Sequence, residues 1–371
     1  MEHAETDQES IARQRPYWIA FSRTPHIGPV SNRRLHEHFG SLERAWLADG
    51  RSLRAALTER AVTSFESIRR ELDVTVMMRE LEVGGISVLT LIDPSYPRLL
   101  REIPSPPSVL YYRGSLNVED EKAVAIVGTR AVTPYGRAMA EQLGAGLARA
   151  GVTVVSGLAL GVDGIAHQAA LEAGGRTIAV LGGGLNRLYP HQHRSLANTI
   201  TQSGAVLSEY APDTKPEGSQ FPARNRIISG LSLGVIVVEA PERSGALITV
   251  DFAADHGRDV FAVPGPVGAL KSEGCNRLLR DGARLVRSAD DVLADLGLGG
   301  PLVETVIQTA LPLGDLERKV LDLLTSEPQH IDEIGTQADL STHGAGALLL
   351  TMELQGLVRN VGAQYYTRLR R

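Results

Sequence analysis

Arg130, Arg224 and Arg226 mark the stretches of this 371-residue chain where chemistry is easiest to place. Arg130 closes Ala123–Arg130, AVAIVGTR, in which a five-residue apolar run stops on Gly128 and passes at once to Thr129 and Arg130. Arg224 and Arg226 flank Asn225 in Phe221-Pro222-Ala223-Arg224-Asn225-Arg226. A further run, Val154-Val155-Ser156-Gly157-Leu158-Ala159, has Asp163 and His167 behind it. Each stretch reads as a strand that ends in small residues and opens into a helix. Free N–H groups and the positive end of the helix dipole attract anions there. The arginines add bidentate phosphate pairing, and Phe221 offers a face on which a base can stack, the combination that holds single strands. Ser244-Gly245-Ala246-Leu247-Ile248-Thr249 opens another helix with hydroxyls and backbone donors, a second anion cradle.

Other chemistries fit the residues less well. A dinucleotide site needs G-x-G-x-x-G and a carboxylate closing the second strand, but Gly128 has no following glycine until Gly136 and that strand closes on Ser156-Gly157. No G-x-x-x-x-G-K-[ST] occurs, so ATP hydrolysis is not expected. Asp163 and His167, at i and i+4, read as a helix-initial acid and a partly buried histidine rather than an acid–base pair. His191-x-His193 lacks the carboxylates or cysteines of a metal site, and no metal or cofactor is expected. Glu239 is the one carboxylate placed for catalysis, with nothing nearby that looks like a nucleophile.

The elements that must position these residues alternate. Seven β-runs lie near Ala123–Val127, Val152–Val155, Thr177–Leu181, Ala205–Ser208, Gly234–Val238, Asp259–Val263 and Arg284–Val286. Most are continuously apolar, as strands covered on both faces are. Helical stretches fill the gaps, and Thr133 caps Pro134–Ala150, which Gly151 ends. The fold class is therefore α/β, a doubly wound Rossmann-like sheet whose ligands bind beyond the carboxyl ends of the strands.

Composition sets the limits. Net charge is −5, so any nucleic-acid contact must come from a local patch. Of 38 lysines and arginines only Lys122, Lys215, Lys271 and Lys319 are lysine, a whole-chain bias in which position alone carries weight. The lone cysteine, Cys275, excludes an internal disulfide and a multi-cysteine zinc site. No run of 18 apolar residues occurs and MEHAETDQES is acidic, so a cytoplasmic protein without a membrane span is expected.

The expected layout is a disordered tail over 1–15, a helical domain over 16–116, the α/β domain over 117–297, a linker over 298–312 and a third domain over 313–371. Within the first domain, Thr24-Pro25-His26-Ile27-Gly28-Pro29-Val30 resembles a helix-hairpin-helix turn, but Pro29 removes a donor N–H, so a scaffold touching little DNA is expected. In the last, Gly314–Leu324, Ile331–Gln337 and Ser341–Leu354 read as helices, and Leu357–Arg359 with Gln364–Tyr366 as a hairpin. That order is a winged helix-turn-helix. Its recognition helix opens on Ser341-Thr342-His343-Gly344-Ala345-Gly346-Ala347, without the basic or amide side chains that read duplex DNA. Protein contact or auxiliary DNA contact is expected of it.

Taken together, AIVGTR (Ala125–Arg130), VVSGLALGVDGIAH (Val154–His167), TIAVLGGGL (Thr177–Leu185), FPARNRIISGLS (Phe221–Ser232), VVEAPERSGALIT (Val237–Thr249) and Val260–Ala283 resemble the DprA (Smf) family of DNA-processing proteins. The resemblance implies an extended Rossmann fold between a sterile-alpha-motif-like helical domain and a winged helix. It implies a recombination mediator rather than an enzyme, one that binds single-stranded DNA, dimerises, and loads RecA recombinase onto strands covered by single-strand binding protein during natural transformation. Carried over by position, the DNA site comprises Gly128, Thr129, Arg130, Gly157, Lys215, Phe221, Arg224, Asn225, Arg226, Ser244, Gly245 and Thr249. The dimer contact falls on Asn276, Leu278 and Leu279, an apolar pair with little local sequence to cover it. The rival reading is a nucleotide N-glycosidic hydrolase of a related fold. Pro241-Glu242-Arg243-Ser244-Gly245 lacks the double glycine and the following glutamate such enzymes use, Asp251 being the nearest substitute.

Overall fold

The computed structural model describes residues 7–298, 315–325, 328–354, 357–362 and 364–368, in two compact units divided near residue 300. The expected linker lies outside the described residues, apart from Leu298.

The first unit is built on a nine-stranded sheet. Its strands are β1 (Ser87–Thr90), β2 (Val109–Gly114), β3 (Ala123–Val127), β4 (Thr153–Ser156), β5 (Thr177–Val180), β6 (Ala205–Ser208), β7 (Gly234–Val237), β8 (Asp259–Ala262) and β9 (Arg284–Leu285), in the order β1-β2-β6-β5-β4-β3-β7-β8-β9. From β6 to β9 every pairing is parallel. The seven apolar runs are these seven strands, to within a residue or two at the ends. Strands β3 to β7 are buried throughout because helices cover both faces, whereas β9 at the sheet edge is exposed.

Two strands precede the expected boundary at 117. β1 and β2 pair antiparallel with each other, and β2 pairs with β6, extending the sheet into the segment read as helical. Prolines at 94, 97, 104, 106 and 107 surround these short strands and hide them in a turn-rich region. Ahead of them come helices α1 (Asp7–Ser22), α2 (Pro29–Phe39), α3 (Leu42–Leu47), α4 (Gly50–Leu53), α5 (Glu59–Glu71) and α6 (Val74–Val83). The tail expected over 1–15 is thus helical from Asp7 onward. Phe21 stacks on Phe65 at 4.9 Å with Trp46 edge-on to both, and this core runs without a break into Val109, Tyr111 and Val206 of the sheet. The helices are therefore fixed to one face of the sheet rather than forming a separate domain.

The remaining helices of this unit are α7 (Arg98–Arg101), α8 (Pro134–Arg149), α9 (Val162–Glu172), α10 (Arg194–Ser203), α11 (Gln220–Gly230), α12 (Gly245–Asp255), α13 (Glu273–Arg280) and α14 (Ala289–Asp295). Thr133 Oγ1 accepts the Gly136 N–H at 3.1 Å with Pro134 in the first turn, and Gly151, at φ +72°, ends that segment. The second unit contains α15 (Asp315–Leu323), β10 (Gln329–His330), α16 (Ile331–Ala338), α17 (Thr342–Leu354), β11 (Val358–Gly362) and β12 (Tyr365–Arg368), with strand order β10-β12-β11. Val320, Ile334, Leu349, Met352 and Tyr366 close its core, the expected winged-helix arrangement.

Candidate functional site

A cavity of about 670 Å³ opens at the carboxyl ends of the parallel strands, where doubly wound sheets bind ligands. Three connections form it. After β3, Gly128, Thr129 and Arg130 make one wall; after β7, Pro241, Arg243, Ser244, Gly245 and Thr249 make a second; α11 supplies Phe221, Arg224, Asn225 and Ile228. The expected DNA residues on three separate chain segments thus converge on one space.

The walls are held by hydrogen bonds that also settle Glu239. Its backbone oxygen accepts the Thr129 N–H at 2.7 Å, and its carboxylate accepts both the Thr133 N–H at 2.9 Å and the Thr133 hydroxyl. Glu239 is buried, and each of its two carboxylate oxygens accepts one bond from Thr133 at the start of α8. Ser244 caps α12, accepting the Ala246 N–H at 3.3 Å, and the Asn225 amide reaches the Gly245 oxygen at 3.3 Å. Arg130 is exposed, with its guanidinium 6.0 Å from the Phe221 ring centre. Among the described residues neither Arg130 nor Arg243 makes an ion pair, so two exposed cations from the connections after β3 and β7 line the cavity.

Arg224 does not play the part expected of it. It is 5% exposed, and its guanidinium donates to the backbone oxygens of Gly157, at 2.7 Å, and Val180, tying the ends of β4 and β5 together. Burial lowers its pKa to about 10, while the neighbouring Asp163 carboxylate holds the charge in place, so it stays protonated at neutral pH. Asp163 in turn accepts the N–H groups of Gly157 and Ala159 at 3.1 and 3.3 Å, and burial raises its pKa against the pull of Arg224. Gly157 belongs to this assembly: a Cβ there would come within 2.4 Å of the Arg224 guanidinium. It borders a small side recess rather than the main cavity.

Arg226 also turns away. Phe221, Asn225 and Ile228 follow at i, i+4 and i+7 and share the cavity face of α11, whereas a residue at i+5 points elsewhere. Arg226 pairs instead with Glu209, whose pKa burial raises against the pull of that guanidinium. Lys215 is exposed on the loop that brings Pro216 and Gly218 to the cavity, but does not line it. His167 bonds Thr177 Oγ1 through Nδ1 at 2.6 Å, and burial lowers its pKa to about 3, so it is a neutral core histidine. His193 bonds the Leu158 oxygen at 2.9 Å, and no metal-binding cluster exists among the described residues.

Two cavity residues escape a sequence reading. Arg243 lies one residue before the Ser244 cap, a place where a cation faces the same anion as the helix end. Tyr189, half exposed before Pro190, lies 5.8 Å ring to ring from Phe221 although 32 residues separate them in the chain. At the expected dimer contact, Leu278 and Leu279 are half-buried against the sheet core, and the Asn276 side-chain amide bonds Gly265 through both N–H and oxygen. The apolar pair is better covered than its local sequence implies. No helix among the described residues is long and apolar enough to cross a membrane.

The similarities to known proteins follow the same division of the chain. Residues 87–297 match the family DNA recombination-mediator protein A, and residues 307–364 match the DprA winged helix domain. The Smf protein of Synechocystis is 37% identical over 96% of this chain and 99% of its own length. The DNA processing protein DprA of Streptococcus pneumoniae is 47% identical over 56% of this chain and 73% of its own. A solved structure of the pneumococcal protein superposes with a TM-score of 0.67 at 36% identity, covering 78% of this chain and 98% of that one. A Helicobacter pylori DprA structure described for its single-stranded DNA binding mode gives 0.52 at 33% identity, over 57% and 95% of the two chains. The family match begins at β1, 30 residues before the boundary expected at 117, and so agrees with the extent of the sheet. The chain belongs to the DNA recombination-mediator protein A family, DprA.

Proposed function

We propose that the cavity binds single-stranded DNA and that the protein delivers RecA recombinase to it, displacing single-strand binding protein. The observation that carries this reading is the convergence of exposed Arg130 and Arg243 around the half-exposed Phe221 ring. Phosphates meet the two guanidiniums and the start of α12, capped by Ser244, while one base stacks on Phe221. At 6.0 Å the Arg130 guanidinium lies at the outer reach of a cation–π contact with that ring. The H. pylori relative, described for single-strand binding, supports the assignment.

The proposed role, binding and delivery, involves no covalent step, and the buried Glu239 carboxylate serves in it to hold the first turn of α8. The protein acts in the cytoplasm as a homodimer through α13 and the exposed edge of β9, where Leu285 is 50% exposed. Charge at Leu285 tests that contact more cleanly than charge at Leu279, which packs inward. Leu285→Arg should sediment as a monomer, and a persisting dimer rejects the surface. The DNA assignment is tested by anisotropy with a labelled oligo-dT and with a duplex of equal length. Preference for the single strand is expected, and equal affinity for the two rejects it. RecA strand exchange on strands pre-coated with single-strand binding protein tests delivery: the protein should shorten the lag.

A further inference from the structure

We infer that Tyr189 is a second base platform of the strand site, adjacent to Phe221; the inference rests on the single-strand reading of the cavity. Tyr189 is 49% exposed although its ring touches another aromatic, and its hydroxyl makes no hydrogen bond among the described residues. The ring meets Phe221 on one side and His191 edge-on at 6.3 Å, and its exposed half and its hydroxyl are left without a partner among the described residues. It borders both the main cavity and a recess shared with Arg130, Leu160 and Pro190. That recess measures about 40 Å³, room for about one water and too little for a base, so a base lies on the open face of Tyr189 rather than inside.

The geometry fixes how two neighbouring bases are held. The rings of Tyr189 and Phe221 are 5.8 Å apart and tilted by 56°, whereas stacked neighbours in a duplex strand advance about 3.4 Å and stay parallel. Two successive bases on these platforms are splayed apart, with Arg130, which borders both spaces, at the phosphate between them. Phe221 is held in its place from below: a Cβ at Gly182 would come within 2.8 Å of its ring. The ligand class is an unstacked pair of adjacent nucleotides, which a duplex cannot present.

The test compares an oligo-dT with a base-free deoxyribose-phosphate strand of equal length. A base–aromatic stack is worth about 1–3 kcal/mol, so Tyr189→Ala should weaken oligo-dT binding about five- to hundred-fold. It should leave the base-free strand unaffected, which also shows that the variant is folded, and Tyr189→Phe should keep parental affinity for both strands. Equal loss on both strands, or no loss on either, overturns the inference. Phe221→Ala is measured alongside. If it too leaves oligo-dT binding intact, the cavity reading itself fails; if only Tyr189→Ala is silent, the second platform alone is wrong.

Discussion

Arg224→Met separates an arginine that holds the site from one that touches DNA. The native guanidinium satisfies the backbone oxygens of Gly157 and Val180 and faces Asp163, all at the buried ends of β4 and β5. Methionine keeps much of the apolar volume but leaves Asp163 buried without its counter-charge and two carbonyls without a donor. Removing one partner of a buried pair costs about 3–5 kcal/mol, and each unsatisfied carbonyl about 1–3 kcal/mol, an overlapping loss. The expected destabilisation is about 3–5 kcal/mol, a large share of a typical domain's stability. Urea denaturation of the full chain reads it as a lower midpoint. Adding Asp163→Asn removes the stranded carboxylate and should restore part of the loss, a coupling of at least about 1 kcal/mol. An Arg224→Met protein with parental stability and no strand affinity would place Arg224 on the DNA and refute the reasoning.

Further expectations follow from the same geometry. Arg226→Ala should lower the denaturation midpoint by stranding buried Glu209, with strand affinity changed less than two-fold; a large affinity loss at intact stability contradicts its placement off the cavity face. Arg243→Ala should weaken oligo-dT binding several-fold and reduce the salt slope by about 0.7, while an unchanged slope removes it from the strand path. The folded protein keeps His167 neutral down to about pH 3, whereas the unfolded chain protonates it below about 6.5, so it costs stability as pH falls between those values, by up to about 1.4 kcal/mol per unit. The raised carboxyls of Asp163 and Glu209 act in the opposite sense, so the readout is the difference between parent and His167→Asn, whose acid slope should be shallower. Ending the chain after residue 312 should leave oligo-dT binding intact, because the cavity lies wholly in the first unit; lost binding in a folded remainder moves the site.

The parallel strands were legible because each is a continuous apolar run bounded by glycine or a cap, a signal that burial on both faces imposes. β1 and β2 were not, since SVLT and VLYYRG are short and lie among prolines that suggest turns. That Gly128, Thr129, Arg130, Phe221, Asn225, Ser244, Gly245 and Thr249 gather on one cavity was legible because strand ends and helix starts of a doubly wound sheet meet at one edge. The fates of Arg224 and Arg226 differ because α11 begins at Gln220: helical periodicity places one toward the carbonyls of β4 and β5 and the other toward Glu209. Two arginines flanking one asparagine look equivalent only until the helix is drawn. Tyr189 and Arg243 enter through convergence in space, for which one sequence holds no spacing rule.

The most direct measurement is the salt dependence of oligo-dT affinity for the full-length protein and its Arg130→Ala variant. Phosphate contacts release counterions, so the logarithm of affinity should fall linearly with that of salt, by about 0.7 per contact on a single strand. Arg130→Ala should lower affinity about ten- to hundred-fold at low salt and flatten the slope by about one contact. An Arg130→Ala protein that is folded, binds as tightly as its parent and shows the same slope would contradict a strand site at the carboxyl ends of the sheet.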